Sequence, residues 1–191
     1  MQNVRVFFEK TGMTKYISHL DLMRCMTRAI KRAAIPAWYT EGFNPHLFIT
    51  FALPLTLGVE SLCESMDIRL TEEMGFEEVK NRLNVNLPDG IRITNVAVPV
   101  YKANDIAFAE YKITFHTRKN EKIKNEIEEK LLGDELLAEK MGKQGKRKVL
   151  KTINLKEFVN SYSVISLNDK TVLTAVLTAG SKNNINPNLR S

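Results

Sequence analysis

Two short segments hold most of the side chains able to act as acids, bases or ligands. The first, Tyr16-Ile17-Ser18-His19-Leu20-Asp21-Leu22-Met23-Arg24, sets a hydroxyl, an imidazole, a carboxylate and a guanidinium close together. Ser18-His19-Leu20-Asp21 has the S-x-x-D form of a capping box, so Ser18 is expected to open a helix with Asp21 in its first turn. His19 would then project from a helix end whose free N–H groups attract anions such as phosphate. The plain alternative is a well-capped helix and nothing more. The second segment, Gly42-Phe43-Asn44-Pro45-His46, combines residues that shape sites on loops, although Asn-Pro is also simply a turn former. We expect His19, Asp21, Asn44 and His46 to lie on one side of the molecule and border one pocket. If the protein is an enzyme, His19 is its general acid or base.

Other chemistries find no support. No C-x-x-x-C-x-x-C is present, so the chain cannot itself ligate a radical SAM iron–sulfur cluster. P-loop, G-x-G-x-x-G, zinc-spaced and G-x-S-x-G motifs are missing too. His19, His46, Asp21 and Cys63 lack the paired spacing of a metal site, so neither a metal nor another cofactor is expected.

Charge points to a different class of function. The net charge is +6. Residues 1–100 hold 11 Lys/Arg against 11 Asp/Glu, so the excess belongs to the remainder. At ~100° per residue, Arg24, Arg28, Lys31 and Arg32 share about one quadrant of a helix, opposite Met26 and Ile30. No acid occurs between Asp21 and Glu41 to neutralise them. Lys140 to Lys156 is a second basic stretch without an acid, with Lys146 and Arg147 at its centre. Either patch suits RNA or an acidic partner, since phosphate contacts dominate nucleic-acid affinity. The alternative for both is a solvated charged face.

The elements that must position these groups alternate between strand and helix. Val4 to Phe8 reads as a strand. A helix runs from Ser18 to about Ala34, before Pro36, with Leu22, Met23, Cys25, Met26, Ala29, Ile30 and Ala33 on one face. Trp38 to Thr40 and Leu47 to Leu53 are strand candidates, and Ser65 to Leu70 alternates as a half-buried strand. Thr71 to Leu83 has helical spacing, and Ile91 to Val98 follows the Pro88-Asp89-Gly90 turn as a strand. Beyond it we expect a strand over Tyr111 to Phe115, a charged helix over Asn120 to Met141 and a basic loop over Gly142 to Lys148. A strand over Val149 to Ile153 and a helical turn over Leu155 to Asn160 come next. The last element is a hairpin of Tyr162 to Leu167 and Thr171 to Thr178. The fold class is α+β with antiparallel sheets, in two ferredoxin-like split βαβ halves. Residues 1–100 form the first half, 108–180 the second, and 181–191 a loose tail.

The 191 residues contain no apolar run near the ~20 a membrane helix needs. MQNVRVFFEK lacks a secretory h-region. Cys25 and Cys63 are too few for a disulfide scaffold. A cytoplasmic protein with no membrane partner is the expectation.

Read together, YISHLDLMR, the basic helix, EGFNPH and ITFALPLTLGVES resemble the uncharacterised radical-SAM-linked domain family. Its motifs are F-I-S-H-x-D-L, G-F-N-P-H-P-K and S-F-A-x-P-L-x-x-G. The resemblance is strong from Val4 to Val98 and thinner beyond, where Gly180-Ser181 followed by Asn186-Pro187 is similar to a late G-S-x-x-P segment. Leu47 and Phe48 stand where the family has Pro-Lys, and Thr50 where it has Ser. The missing lysine weakens any phosphate grip by that loop. The resemblance implies an accessory domain fused to, or encoded beside, a B12-binding-type radical SAM protein, which it would serve by presenting substrate. RNA as that substrate follows from the basic helix, not from the family. Paired ferredoxin-like units with a histidine opening the first helix also resemble metal-independent CRISPR-type RNA endonucleases, the enzymatic alternative built on His19.

Overall fold

A computed structural model describes residues 1–144 and 147–180. Lys146 and the tail 181–191 lie outside the described residues. The chain divides into two compact units, Met1–Asp105 and Ile106–Ser191. It is a mixed α+β protein whose strand pairings are all antiparallel among the described residues. Among those residues no helix is long and apolar enough to cross a membrane.

Unit 1 runs β1 (Gln2–Lys10), α1 (His19–Arg32), β2 (Ile49–Phe51), β3 (Ser61–Leu70), α2 (Phe76–Asn86) and β4 (Ile91–Ala97). The sheet order is β2-β3-β1-β4, which is compatible with a split βαβ unit. Period-two alternation turns Val4, Val6 and Phe8 of β1 and Met66, Ile68 and Leu70 of β3 to one face. Leu22, Met26, Ala29 and Ile30 of α1 and Val79 and Leu83 of α2 close over that face. On β4 the inward series is Ile91, Ile93 and then Val96. The break in parity is a bulge: Phe7 pairs with Asn95 and Phe8 with Ile93, so Thr94 is the extra residue. Asn84 of α2 clamps the strand there, its Nδ2 donating to Ile93 O at 3.1 Å and its Oδ1 accepting from Ile93 N at 2.8 Å.

The start of α1 follows its sequence. The Ser18 hydroxyl accepts from Asp21 N at 3.2 Å and donates to the Asp21 carboxylate at 2.7 Å. At the other end, Ala34 N donates to Lys31 O and Ile35 N to Ile30 O. This is a Schellman closure, and its left-handed position is filled by Ala34 at φ 50°. A 3-10 turn, Gly12–Tyr16, leads into the helix. Gly90 O accepts from Thr11 N at 2.8 Å and from the Thr14 hydroxyl at 3.0 Å, which ties this turn to the α2–β4 connection.

Unit 2 contains β5 (Phe108–His116), α3 (Asn120–Leu132), β6 (Leu137–Gln144), β7 (Arg147–Asn154), β8 (Val159–Leu167) and β9 (Lys170–Thr178). β5, β9 and β8 form one sheet in that order, and β6 with β7 a two-stranded ribbon. Asn120, at the start of α3, donates from Nδ2 to Leu167 O at 2.6 Å, and the buried Thr171 hydroxyl donates to Asn120 O at 3.0 Å. These bonds hold the helix to the β8–β9 hairpin. Here the structure departs from the sequence reading. The expected helix to Met141 stops at Leu132, where Gly133 breaks it, and most of the expected basic loop is strand. The helical stripe of Ile123, Ile127 and Leu131 has no continuation past Gly133, while the ribbon has a partner strand to bond.

Candidate functional site

The basic face of α1 is where the sequence places it. Arg24, Arg28, Lys31 and Arg32 are all exposed. Three of them, at four-residue intervals, line a groove of about 680 Å³ between α1 and the residues that close α2, Val85 to Pro88. Arg24 donates to the Asp21 carboxylate at 3.0 Å. Arg32 donates to Asn86 O at 2.5 Å, at the carbonyl end of α2, where a cation is favoured. Arg28 has no ion-pair partner among the described residues. Lys31 leaves the row and lies with its amine 5.5 Å from the centre of the Tyr39 ring. Helical spacing alone does not separate Lys31 from the arginines; the strand-like segment beyond Pro36 draws it away.

Asp21 is the one carboxylate among the described residues of the groove wall. The Ser18 hydroxyl first, and Arg24 second, hold it below the usual carboxylate range. Cys25 also lines the groove. Burial pushes its thiol up, against the opposing influence of Arg32 and Arg28. Burial thus favours the protonated thiol over the thiolate.

The other expected pocket residues have separate surroundings. His19 packs edge-on against Phe51, ring centres 5.1 Å apart. His46 closes its own loop: Thr40 N donates to His46 O at 2.8 Å, and His46 N donates to the Thr40 hydroxyl at 3.1 Å. The His46 Nδ1 lies 3.0 Å from that hydroxyl and 3.2 Å from Asn44 O. A carbonyl can only accept, so a hydrogen bond between Nδ1 and Asn44 O has Nδ1 as its donor. The groove contains Asp21, whereas His19, Asn44 and His46 are not among its walls. Of the second basic stretch, Arg147 begins β7 opposite Gln144.

Sequence reasoning passed over Lys10 and Glu64. Lys10 continues the inward row of β1 and is buried. Its amine donates to Lys15 O at 3.3 Å and Ile17 O at 3.5 Å, just before the Ser18 cap. Burial lowers its pKa while Glu64 raises it. Glu64 itself is pushed up by burial, against Ser61 and Lys10. A charged residue ending an otherwise apolar alternation was the available signal. Among the described residues no group of three or more His, Cys, Asp or Glu is placed to hold a metal ion.

A family model described as an uncharacterized protein conserved in bacteria (DUF2344) matches residues 3–187. No curated protein matches the chain.

Proposed function

The chain belongs to the DUF2344 family of proteins conserved in bacteria, and on that premise we propose that unit 1 is an RNA-binding module serving a radical SAM partner. One observation carries the RNA reading. Arg24, Arg28 and Arg32 follow one another along a single groove wall, each ~6 Å further along the helix axis. That ladder suits successive phosphates of one strand. The Arg24–Asp21 pair is exposed on both sides, and such pairs are worth about 0–1 kcal/mol. Exchanging Asp21 for a phosphate therefore costs little. Arg32 is held in place by Asn86 O, and Arg28 is unengaged among the described residues. The partner class is supported by the resemblance of YISHLDLMR and EGFNPH to the radical-SAM-linked domain.

A salt titration of single-stranded RNA binding tests the reading. The native protein should bind with log K falling linearly against log salt, and Arg24→Ala/Arg28→Ala should flatten that slope by about one unit for every phosphate no longer neutralised. Equal slopes would leave the groove a solvated face and Lys140 to Lys156 the remaining basic candidate. No binding by the native protein at low salt would reject the RNA reading. Shortened RNA in the presence of EDTA would replace binding by cleavage and turn attention to His19. Co-purification with a radical SAM protein encoded beside this chain tests the partner.

A further inference from the structure

The face of the unit 1 sheet turned away from its helices is polar and aromatic. Thr50, Asp67 and Arg5 are neighbours across β2, β3 and β1. Arg5 donates from Nε and Nη2 to the two Asp67 oxygens at 2.7 and 2.8 Å. Two residues along β3, the Arg69 guanidinium lies 5.1 Å from the Trp38 ring centre and 5.0 Å from that of Phe48. Its Nε donates to Asn3 Oδ1 at 3.2 Å. Just past β4, residues 99–102 return to this face, in a turn where Lys102 N donates to the Asp105 carboxylate at 2.9 Å. A cavity of about 300 Å³ lies there, bordered by Asn3, Phe48, Thr50, Asp67, Tyr101 and Lys102 among others.

The polar groups bordering it are held but not exhausted. Each Asp67 oxygen accepts one bond from Arg5 and keeps a second lone pair. Asn3 Oδ1 is taken by Arg69, which fixes the amide so that its NH2 is the group left to donate. Thr50 makes no side-chain hydrogen bond among the described residues. The cavity thus combines two aromatic walls, a fixed acceptor, a fixed donor and a lysine.

We propose that this cavity binds one unstacked nucleobase of a single-stranded RNA. The proposal rests on the RNA reading of the arginine groove and adds base recognition to it. Stacking between aromatic side chains is how unpaired bases are usually held. Each base presents a donor beside an acceptor on its Watson–Crick edge, an amino group beside a ring nitrogen in adenine and cytosine and a ring N–H beside a carbonyl in guanine and uracil. That pair complements Asp67 as acceptor and the Asn3 NH2 as donor. Lys102, which also borders the cavity, supplies a cation suited to a flanking phosphate.

Two measurements test this. Adenosine, cytidine, guanosine and uridine are titrated separately into the native protein and followed by amide NMR. Each nucleoside should shift Asn3, Thr50 and Tyr101 and leave Arg28 unmoved. Then Tyr101→Ala, at a position 73% exposed, is compared with native protein on an oligoadenylate and on the same oligomer with abasic sites. The substitution should weaken oligoadenylate binding by about 5- to 150-fold without changing the salt slope, and should not affect the abasic oligomer. Nucleosides that leave all three signals unmoved, or native protein that binds abasic and intact oligomers equally, would overturn the base pocket. If Arg28→Ala still flattened the slope, the groove reading would survive that failure. If nucleosides shift the pocket while no oligomer binding depends on salt, the groove reading fails and the pocket stands.

Discussion

Ala34→Gly should make unit 1 more stable. Ala34 closes α1 in the left-handed region at φ 50° and is exposed, so its methyl group contributes little packing. Holding a residue with a Cβ in that region costs about 1–2 kcal/mol. Glycine removes this cost and returns roughly 0.5–1 kcal/mol as extra backbone freedom in the unfolded chain. The net expectation is a gain of about 0.5–1 kcal/mol. For a unit of this size that raises the melting temperature by about 2–8 °C. The assay is built in: Trp38 is the only tryptophan, and its ring lies beside Arg69 and Phe48 in unit 1. Urea titration followed by its fluorescence should show a higher midpoint with an unchanged slope. Ala34→Val should move the midpoint the other way, because a β-branched side chain tolerates that region least. A lower midpoint for Ala34→Gly would refute the strain argument, and equal midpoints for Gly and Val would show that the backbone there relaxes freely.

Further expectations concern the contacts that shape unit 1. Asn84→Leu keeps the branching at Cγ but deletes both bonds to Ile93, and should cost about 1–3 kcal/mol in the same urea titration; full stability would mean that packing alone holds α2 on β4. Gly90→Ala places a Cβ 2.6 Å from Thr11 O at a φ of 88°. It should cost of order 1–3 kcal/mol, and a variant that melts with the native protein would contradict the close approach. Glu64→Gln should change the pH dependence. Burial raises the folded-state pKa of Glu64 above its ordinary 4.5. Between 4.5 and the raised value the folded state binds more protons, so the native protein loses stability as pH rises through that window. The variant should lack this loss, and parallel stability–pH curves above pH 4.5 would rule it out.

What was legible in the sequence was local. Ser18 is followed three residues later by Asp21, and the cap forms as that spacing requires. The apolar face of α1 and the alternation in β3 each reflect one period over a short window; Leu22, Met26, Ala29, Ile30 and Ala33 are buried with Met23 and Cys25 half-buried, and Met66, Ile68 and Leu70 are buried. The misplaced elements depend on distant partners. Leu137 to Gln144 continues a charged, helix-forming stretch, and only pairing with Arg147 to Asn154 makes it a strand. The Arg5–Asp67 pair joins residues 62 apart in sequence and exists because β1 and β3 meet in one register. Thr94 shifts the parity of β4, which an alternation count over Ile91 to Val98 does not locate. Three of the four expected α1 cations share a wall because α2 ends beside them. Lys31 is drawn off by Tyr39, which lies in another segment.

The two outer strands of unit 1 set how it can associate with anything. One edge is β2, three residues long, and the other is β4, whose outward amide and carbonyl at Ile93 are already taken by Asn84. Neither margin offers the uninterrupted row of free peptide groups that lets a foreign strand zip on. Main-chain recruitment of a partner, and runaway stacking of copies, are both disfavoured at once. Whatever unit 1 meets must be recognised by side chains, one group at a time.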